Sequence, residues 1–325
     1  MTRLIRALLV LTVALLGLTV TGPGNATVTA TPAASTERAK NPRTDYPSMP
    51  SACVKRSDLI PQTPTRCEMN AYDGSRPTLV LWGDSHAWEM IPAITAALGD
   101  RDINFVAYVL GGCAPLDAAI NTRAKRSRAS DCDLNNDMAL RFVTEQQAVA
   151  PVKVVLGGAW HYYLEEIRKG SKPDDSYRAR IANDVKTDTP RLFRTLADAR
   201  VDVDVVGQTL TVPESATCKQ GRNPFVCSLP RTRAVPKAAA NKKYLRNVMK
   251  PLAGSARYIE VNDALCSKKT CRGKIDGIFT FYDDFHISAT RSATLSRFFA
   301  PSVRDIAPAT STPPTDDGCV LILFC

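Results

Sequence analysis

Apolar positions along this chain fall into short, nearly continuous runs separated by longer stretches of helical periodicity. The runs at 78–82, 103–109, 152–156, 201–206 and 257–261 read as strands. Strands apolar on both sides suit a parallel sheet covered on both faces. The stretches at 87–98, 133–149, 176–199, 237–250 and 288–300 read as helices. Pro190 is expected to break or kink the third of them, because proline removes a helix donor and its ring crowds the preceding turn. Strand–helix alternation of this kind predicts a three-layer α/β/α sandwich with a central parallel sheet. In such sheets the ligand crevice lies beyond the carboxyl ends of the strands. No internal repeat is present.

The ends of the chain have a different character. Arg3 and Arg6 precede an apolar run from Ala7 to Val20, and small residues follow. This is the form of a signal peptide over residues 1–30, with cleavage after Val28-Thr29-Ala30 or after Gly24-Asn25-Ala26. The run is short for a membrane span, which takes roughly 20 apolar residues, although an uncleaved anchor is an alternative. Residues 31–50 are rich in Thr, Pro, Ala and Ser and read as a flexible linker. Residues 306–325 form a Pro/Thr-rich tail, leaving 51–305 as the folded domain. The chain is thus expected to be exported, either secreted or held at the cell envelope.

Ten cysteines in 325 residues agree with export. They fall as sequence neighbours, and the simplest connectivity is Cys53–Cys67, Cys113–Cys132, Cys218–Cys227, Cys266–Cys271 and Cys319–Cys325. A disulfide closing a loop of about 15 residues gains on the order of 3 kcal/mol. No Cys-x-x-Cys occurs, so zinc-type ligand spacing is missing, and no cofactor is expected. The net charge of +10 becomes +8 without Arg3 and Arg6. Such a surface is drawn to an anionic envelope or an acidic glycan, or is merely solubilising. An export signal without any nucleic-acid motif excludes nucleic acid as the partner. Arg123, Lys125, Arg126 and Arg128 form a basic loop that reads as a solvated charge run or a substrate contact.

Two segments carry chemistry. Gly83-Asp84-Ser85-His86 follows the first strand and opens a helix; Asp283-Asp284-Phe285-His286 lies some two hundred positions later. Ser85 is therefore either a helix cap, with Asp84 an equal candidate, or a nucleophile at the sheet edge. His286 is one of only three histidines, with His86 and His161. An aspartate beside it, Asp283 or the adjacent Asp284, can accept from Nδ1–H and leave Nε2 free to take the serine proton. Gly111-Gly112-Cys113 ends the second strand at the same edge, where glycine lets a backbone N–H approach a ligand closely. Gly157-Gly158-Ala159-Trp160-His161-Tyr162-Tyr163 ends the third strand. Its aromatics suit a sugar or an acyl chain, or simply the core. Asp84, His86, Trp160 and His161 are the candidate substrate-binding residues. A metal-assisted site on His86, His161 and Asp283 has no supporting ligand spacing.

In these residues the chain resembles the SGNH (GDSL-like) hydrolases, and most of all the SGNH domain that follows the membrane part of acyltransferase-3 proteins, which O-acetylate surface glycans. Gly83-Asp84-Ser85-His86-Ala87 matches the first block of that family, and Asp283-x-x-His286-Ile287-Ser288 matches its last. Gly112-Cys113-Ala114-Pro115 and the pair Cys266 and Cys271 look like the same subgroup. The resemblance covers roughly residues 51–300. It implies a flavodoxin-like SGNH fold with Ser85 as nucleophile, His286 as base and Asp283 as its orienter. The Ser85 and Gly112 amides would be oxyanion donors. It further implies an O-acyltransferase or carbohydrate esterase acting on a cell-envelope glycan, with a membrane acyltransferase as a possible source of the acyl group. Two features depart from the family. Its asparagine block is not visible after the third strand, and the membrane half is missing. A catalytically idle glycan-binding or scaffolding protein is the alternative.

Overall fold

The computed structural model describes residues 41–117, 128–169, 177–212 and 228–306, all within a unit spanning Ala39–Cys325. The signal segment, the basic loop 118–127, the tail, and the cysteines at 218, 227, 319 and 325 lie outside the described residues. In chain order the strands are β1 (Cys67–Glu68), β2 (Thr78–Gly83), β3 (Asn104–Val109), β4 (Val152–Gly157), β5 (Asp202–Val206), β6 (Leu229–Pro230), β7 (Ala256–Ile259), β8 (Thr270–Cys271), β9 (Lys274–Ile275) and β10 (Ile278–Phe279). The helices are α1 (Ser85–Trp88), α2 (Ile91–Leu98), α3 (Arg128–Gln147), α4 (Trp160–Lys169), α5 (Tyr177–Asp198), α6 (Arg231–Ala234), α7 (Ala238–Val248), α8 (Asn262–Leu265), α9 (Ala289–Ala293) and α10 (Ser296–Arg304).

One six-stranded sheet runs in the order β1-β3-β2-β4-β5-β7. Its five longer strands are parallel. The sheet is not purely parallel, however: β1 adds an antiparallel edge, with Cys67 opposite Ala107. Two residues are too few for an alternating pattern to reveal such a strand. Every residue of β2, β3 and β4 is buried. Alternate side chains go to opposite layers, as the period of two requires. Leu79 and Leu81 pack with Ile94, Leu295 and Phe299 from α2 and the α9–α10 region. Val80 and Trp82 pack with Val143, Leu192, Phe193 and Leu245 from α3, α5 and α7. The result is a three-layer α/β/α fold. After β3 the chain crosses β2 to form β4, so the strand order switches at β2, and a crevice is expected at its carboxyl end.

Several local expectations are corrected. The helix expected over 87–98 is two helices, because Pro92 sits in the first turn of α2 and cannot continue α1. The helix expected over 288–300 is also divided; Thr294 Oγ1 turns back to the Arg291 carbonyl (2.7 Å) at the break. By contrast, α5 runs unbroken through Pro190. Val185 before it and Leu192, Phe193 and Leu196 after it are fully buried. At roughly 1.5–3 kcal/mol per buried side chain, this packing outweighs a proline cost of about 3 kcal/mol. The segment after β4, whose aromatics suited either a sugar or acyl chain or the core, enters helix α4 at Trp160. The supposed linker is docked from Asp45 onward: the Asp45 carbonyl accepts from Ala289 N–H (2.9 Å), and its Oδ1 accepts from the Thr290 amide (3.1 Å) and hydroxyl (2.9 Å). These bonds serve donors in the first turn of α9 that have no partner within the helix.

Disulfides join Cys113–Cys132 and Cys266–Cys271. Cys53 and Cys67, expected as a pair, are free thiols, with Cys53 packed against the core cluster that holds Cys67. Burial pushes both thiols up from their ordinary pKa, which suppresses the thiolate that disulfide exchange requires.

Two features hold the sheet beneath the site. Asp204 on β5 is wholly buried. Its Oδ2 accepts from Arg257 Nη2 (2.7 Å) and Ser302 Oγ (2.6 Å), while Lys153 Nζ lies 3.3 Å from Oδ1. At the carboxyl end of the sheet, Gly83 and Gly157 face each other in register. Gly83 has φ +149°, and a Cβ there would lie 1.8 Å from the Gly157 carbonyl oxygen. A Cβ on Gly157 would lie 2.8 Å from the Ala87 Cα of α1. The paired glycines let α1 rest directly on the strand ends. Asp204→Ala is expected to lower unfolding free energy in urea by about 3–5 kcal/mol, since it strands buried charge. Gly157→Ala is expected to cost about 1–3 kcal/mol by overpacking in the same measurement; wild-type stability in that variant would show that α1 can lift at no cost.

Candidate active site

The chain leaves β2 through Gly83 and turns into α1 at Asp84, whose backbone is extended. Asp84 is the N-cap: its Oδ1 accepts from the His86 N–H at 2.7 Å. Its Oδ2 accepts from the Ala159 N–H (2.8 Å) and from the Tyr163 hydroxyl. Burial raises its pKa despite these three donors. Asp84 therefore ties the start of α1 to the loop after β4 and to α4. With 1% exposure and both oxygens engaged, it does not face a substrate, which corrects the sequence expectation. Of the two candidate caps it is Asp84 that caps α1, which leaves the Ser85 side chain to other contacts.

Ser85 Oγ lies 2.7 Å from His286 Nε2. On the other side of the ring, His286 Nδ1 lies 2.9 and 3.0 Å from the two Asp283 oxygens. Asp283 Oδ1 also accepts from the Phe285 and His286 amides, each at 2.7 Å. The loop is closed beneath by a bridge between Phe281 and Ile287 and by the Tyr282 N–H donating to the His286 carbonyl (3.0 Å). Asp283 is thus the carboxylate on the imidazole; the Asp284 carbonyl instead accepts from the Val212 N–H (2.8 Å). Burial works against an imidazolium at His286. The hydrogen bond and charge of Asp283, with Glu89 and Asp84 behind it, outweigh burial, and the pKa rises above the ordinary histidine value. For Asp283, burial is likewise outweighed by the His286 bond and charge and by the two amides, and its pKa falls. The three side chains have the contacts needed to move a proton from a hydroxyl to an imidazole.

The remaining expected residues divide. Gly112 follows β3 with φ +71°, a left-handed position that favours glycine. It stands at the same sheet edge as Ser85 because β3 neighbours β2. The Cys113–Cys132 bond follows directly, and buried Asn136 Nδ2 donates to the Ala114 carbonyl (3.0 Å) while its Oδ1 accepts from Trp82 Nε1 (2.7 Å). His86 and His161 gather near His286: ring centroids are 5.3 Å apart for His86–His286 and 6.5 Å for His86–His161. Burial pushes both pKa values down, with the neighbouring histidine charges adding to the effect at His86. Trp160 is wholly buried, its Nε1 donating to the Val206 carbonyl (2.9 Å). It belongs to the core and not to the crevice wall, a second correction. Among the described residues no group of three or more His, Cys, Asp or Glu is placed to hold a metal ion.

Glu89 escaped the sequence reading. It follows α1 and is wholly buried. Its Oε1 accepts from the Thr209 hydroxyl (2.6 Å) and its Oε2 from the Ile287 N–H (2.7 Å). Burial pushes its pKa up to about 8, against the charge of His286 and the two hydrogen bonds. The available signal was a lone acid within Ala87-Trp88-Glu89-Met90-Ile91, since an acid amid apolar residues requires buried partners.

The family model described as "SGNH domain (fused to AT3 domains)" matches residues 52–301. No curated protein matches the chain. Among solved structures, the periplasmic domain of a lipopolysaccharide acetyltransferase from Salmonella ser. Paratyphi A is similar at 12% identity, with 71% of this chain and 85% of that one covered and a TM-score of 0.46. Mycobacterium tuberculosis MPT51 (FbpC1) is similar at 10% identity, with 74% and 93% covered and a TM-score of 0.32. The family match takes in most of the sequence, from the segment before β1 through α9 and into α10, and the chain belongs to the SGNH domain family.

Proposed function

We propose that this chain is a serine-dependent enzyme that moves or removes O-acyl groups, acetyl foremost, on cell-envelope glycans. The observation that carries the reading is the 2.7 Å contact between Ser85 Oγ and His286 Nε2, with Asp283 on the far ring nitrogen. His286 takes the Ser85 proton as Oγ attacks the ester carbonyl. The Ser85 amide, in the first turn of α1 where no intrahelical acceptor exists, and the Gly112 amide receive the developing oxyanion. Such donors are worth roughly 2.7–4 kcal/mol each. The tetrahedral adduct collapses, His286 returns its proton to the departing alcohol, and an acyl-Ser85 ester remains. A sugar hydroxyl or water then loses its proton to His286 as it attacks the acyl carbonyl, and His286 passes that proton to Ser85 Oγ as the ester bond breaks, restoring both groups. Asp283 keeps the imidazole in the tautomer that presents Nε2.

Membership of a family described as fused to AT3 domains supports a partner of that class. In this reading a membrane acyltransferase supplies the acyl group. Among the described residues no helix is long and apolar enough to cross a membrane. Export rests on the charged and apolar pattern of residues 1–30 and agrees with two disulfides.

Incubation with p-nitrophenyl acetate is expected to give an acetyl adduct on Ser85 in intact-mass spectra at short times, and none in Ser85→Ala. Glycan retention that survives Ser85→Ala and His286→Ala, with no adduct in the wild type, would replace the enzyme by a binding protein. The base must be neutral to accept the proton. With its pKa raised, activity is therefore expected to fall as pH drops through a midpoint above the usual histidine value. Asp283→Asn removes the charge and weakens the hydrogen bond that raise it most: the acid limb should move to lower pH and kcat should fall roughly 10⁴-fold. An unmoved acid limb in a folded Asp283→Asn protein would remove Asp283 from this role.

A further inference from the structure

A four-residue helix cannot hold its own direction, because so short a segment barely completes its nucleus. The bearing of α1, and of Ser85 at its start, must come from bonds at its two ends. Asp84 fixes the beginning. At the other end stands Glu89, one full turn beyond Ser85, with no exposed surface. Its two oxygens reach two different segments: Thr209, in the stretch after β5, and Ile287, whose amide belongs to the peptide unit adjoining His286. One carboxyl group thereby spans the helix that carries the hydroxyl and the loop that carries the imidazole.

We propose that Glu89 is the positioning residue of this site, joining α1 to the His286 loop and setting the separation between Oγ and Nε2. It is not a catalytic residue, since both oxygens are occupied and buried. The kinetic part of this inference rests on the function proposed above; the positional part does not. The titratable groups facing Glu89 are His286 and Asp283, both from the loop it holds. With a pKa near 8 the carboxyl keeps its proton at neutral pH. A neutral carboxyl accepts from the amide through one oxygen and exchanges a hydrogen bond with the threonine hydroxyl through the other. Glutamine has the same shape and the same capacity. The folded pKa lies above the ordinary 4.5, so the stabilisation is whole below that value and is lost as pH rises through about 8.

The test compares full-length wild type with Glu89→Gln, Glu89→Ala and Thr209→Val. The readouts are kcat and KM for p-nitrophenyl acetate, the downfield proton resonance of His286 Nδ1–H, and urea stability from pH 5 to 9. Glu89→Gln should keep kcat near wild type and flatten the loss of stability toward pH 8. Glu89→Ala should lower kcat on the order of 10²-fold with little change in KM, the scale of a small misplacement of reacting groups. It should also broaden or remove the His286 resonance. Wild-type kcat and an intact resonance in Glu89→Ala overturn the proposal, as does a Glu89→Gln protein as impaired as the alanine variant. If Glu89→Ala does not fold, Thr209→Val decides: reduced kcat at unchanged KM supports the role, and unchanged kcat overturns it. If the wild type shows neither turnover nor acyl-serine, the proposed function fails, and the His286 resonance across the folded variants still tests the positioning role.

Discussion

A hydrogen bond between Ser85 Oγ and His286 Nε2 spans 201 residues of sequence, and the architecture above it follows from what is needed to make it. The hydroxyl must sit where a strand ends, because only there does the backbone turn out of the sheet without leaving ladder groups unpaired. Strand β2 offers that place: β3 and β4 flank it on either side, and the chain reverses its direction of travel across the sheet at that strand. The paired glycines Gly83 and Gly157 remove the side chains that would hold α1 off the strand ends. The imidazole arrives from the opposite end of the chain on a loop pinned by its own aspartate.

Buried polar groups do much of the joining. Asp84, Glu89, Asn136 and Asp204 are each in the interior, and each bonds to elements distant in sequence. Buried polar atoms are costly without partners, so each of these residues favours one arrangement of the segments it connects. The same low-polarity surroundings separate three chemically identical imidazoles. His286 is raised by its carboxylates, whereas His86 and His161 are lowered by burial. Carboxylates thus favour charge on one ring, while burial opposes it on the other two.

Much of the frame was legible in the sequence because it depends on local periodicity. Five apolar runs marked five strands, with ends within two residues of those observed, since buried strands are mostly apolar and the few polar residues inside them, such as Lys153 and Asp204, did not hide the runs. The Gly-Asp-Ser-His and Asp-x-x-His segments were legible as a possible proton-transfer set because each holds complementary groups within a few residues. What escaped depends on partners that no window contains. Nothing near Glu89 announces Thr209 or Ile287. The capping role of Asp84 is legible beside the helix it opens, but nothing near it announces Ala159 and Tyr163, whose bonds turn it away from a substrate. Trp160 has the composition of a sugar platform, yet its indole meets the Val206 carbonyl in the core. Composition was least reliable toward the end of residues 31–50, where Thr, Pro, Ala and Ser suggested a flexible linker and the partners that Asp45 bonds on α9 lie some 245 residues away.

Those bonds have a practical consequence for where the folding unit begins. Asp45 supplies the carbonyl and carboxylate that receive Ala289 and Thr290 at the first turn of α9, and Tyr46 stacks edge-on with Tyr282 at a centroid distance of 5.4 Å. The matched region opens only at residue 52. A fragment trimmed to that boundary would leave three donors at the start of α9 without their Asp45 acceptors and strip an aromatic wall from the loop that presents His286. The autonomous unit therefore starts upstream of Asp45, and its earliest residues serve as the clasp for its last helices.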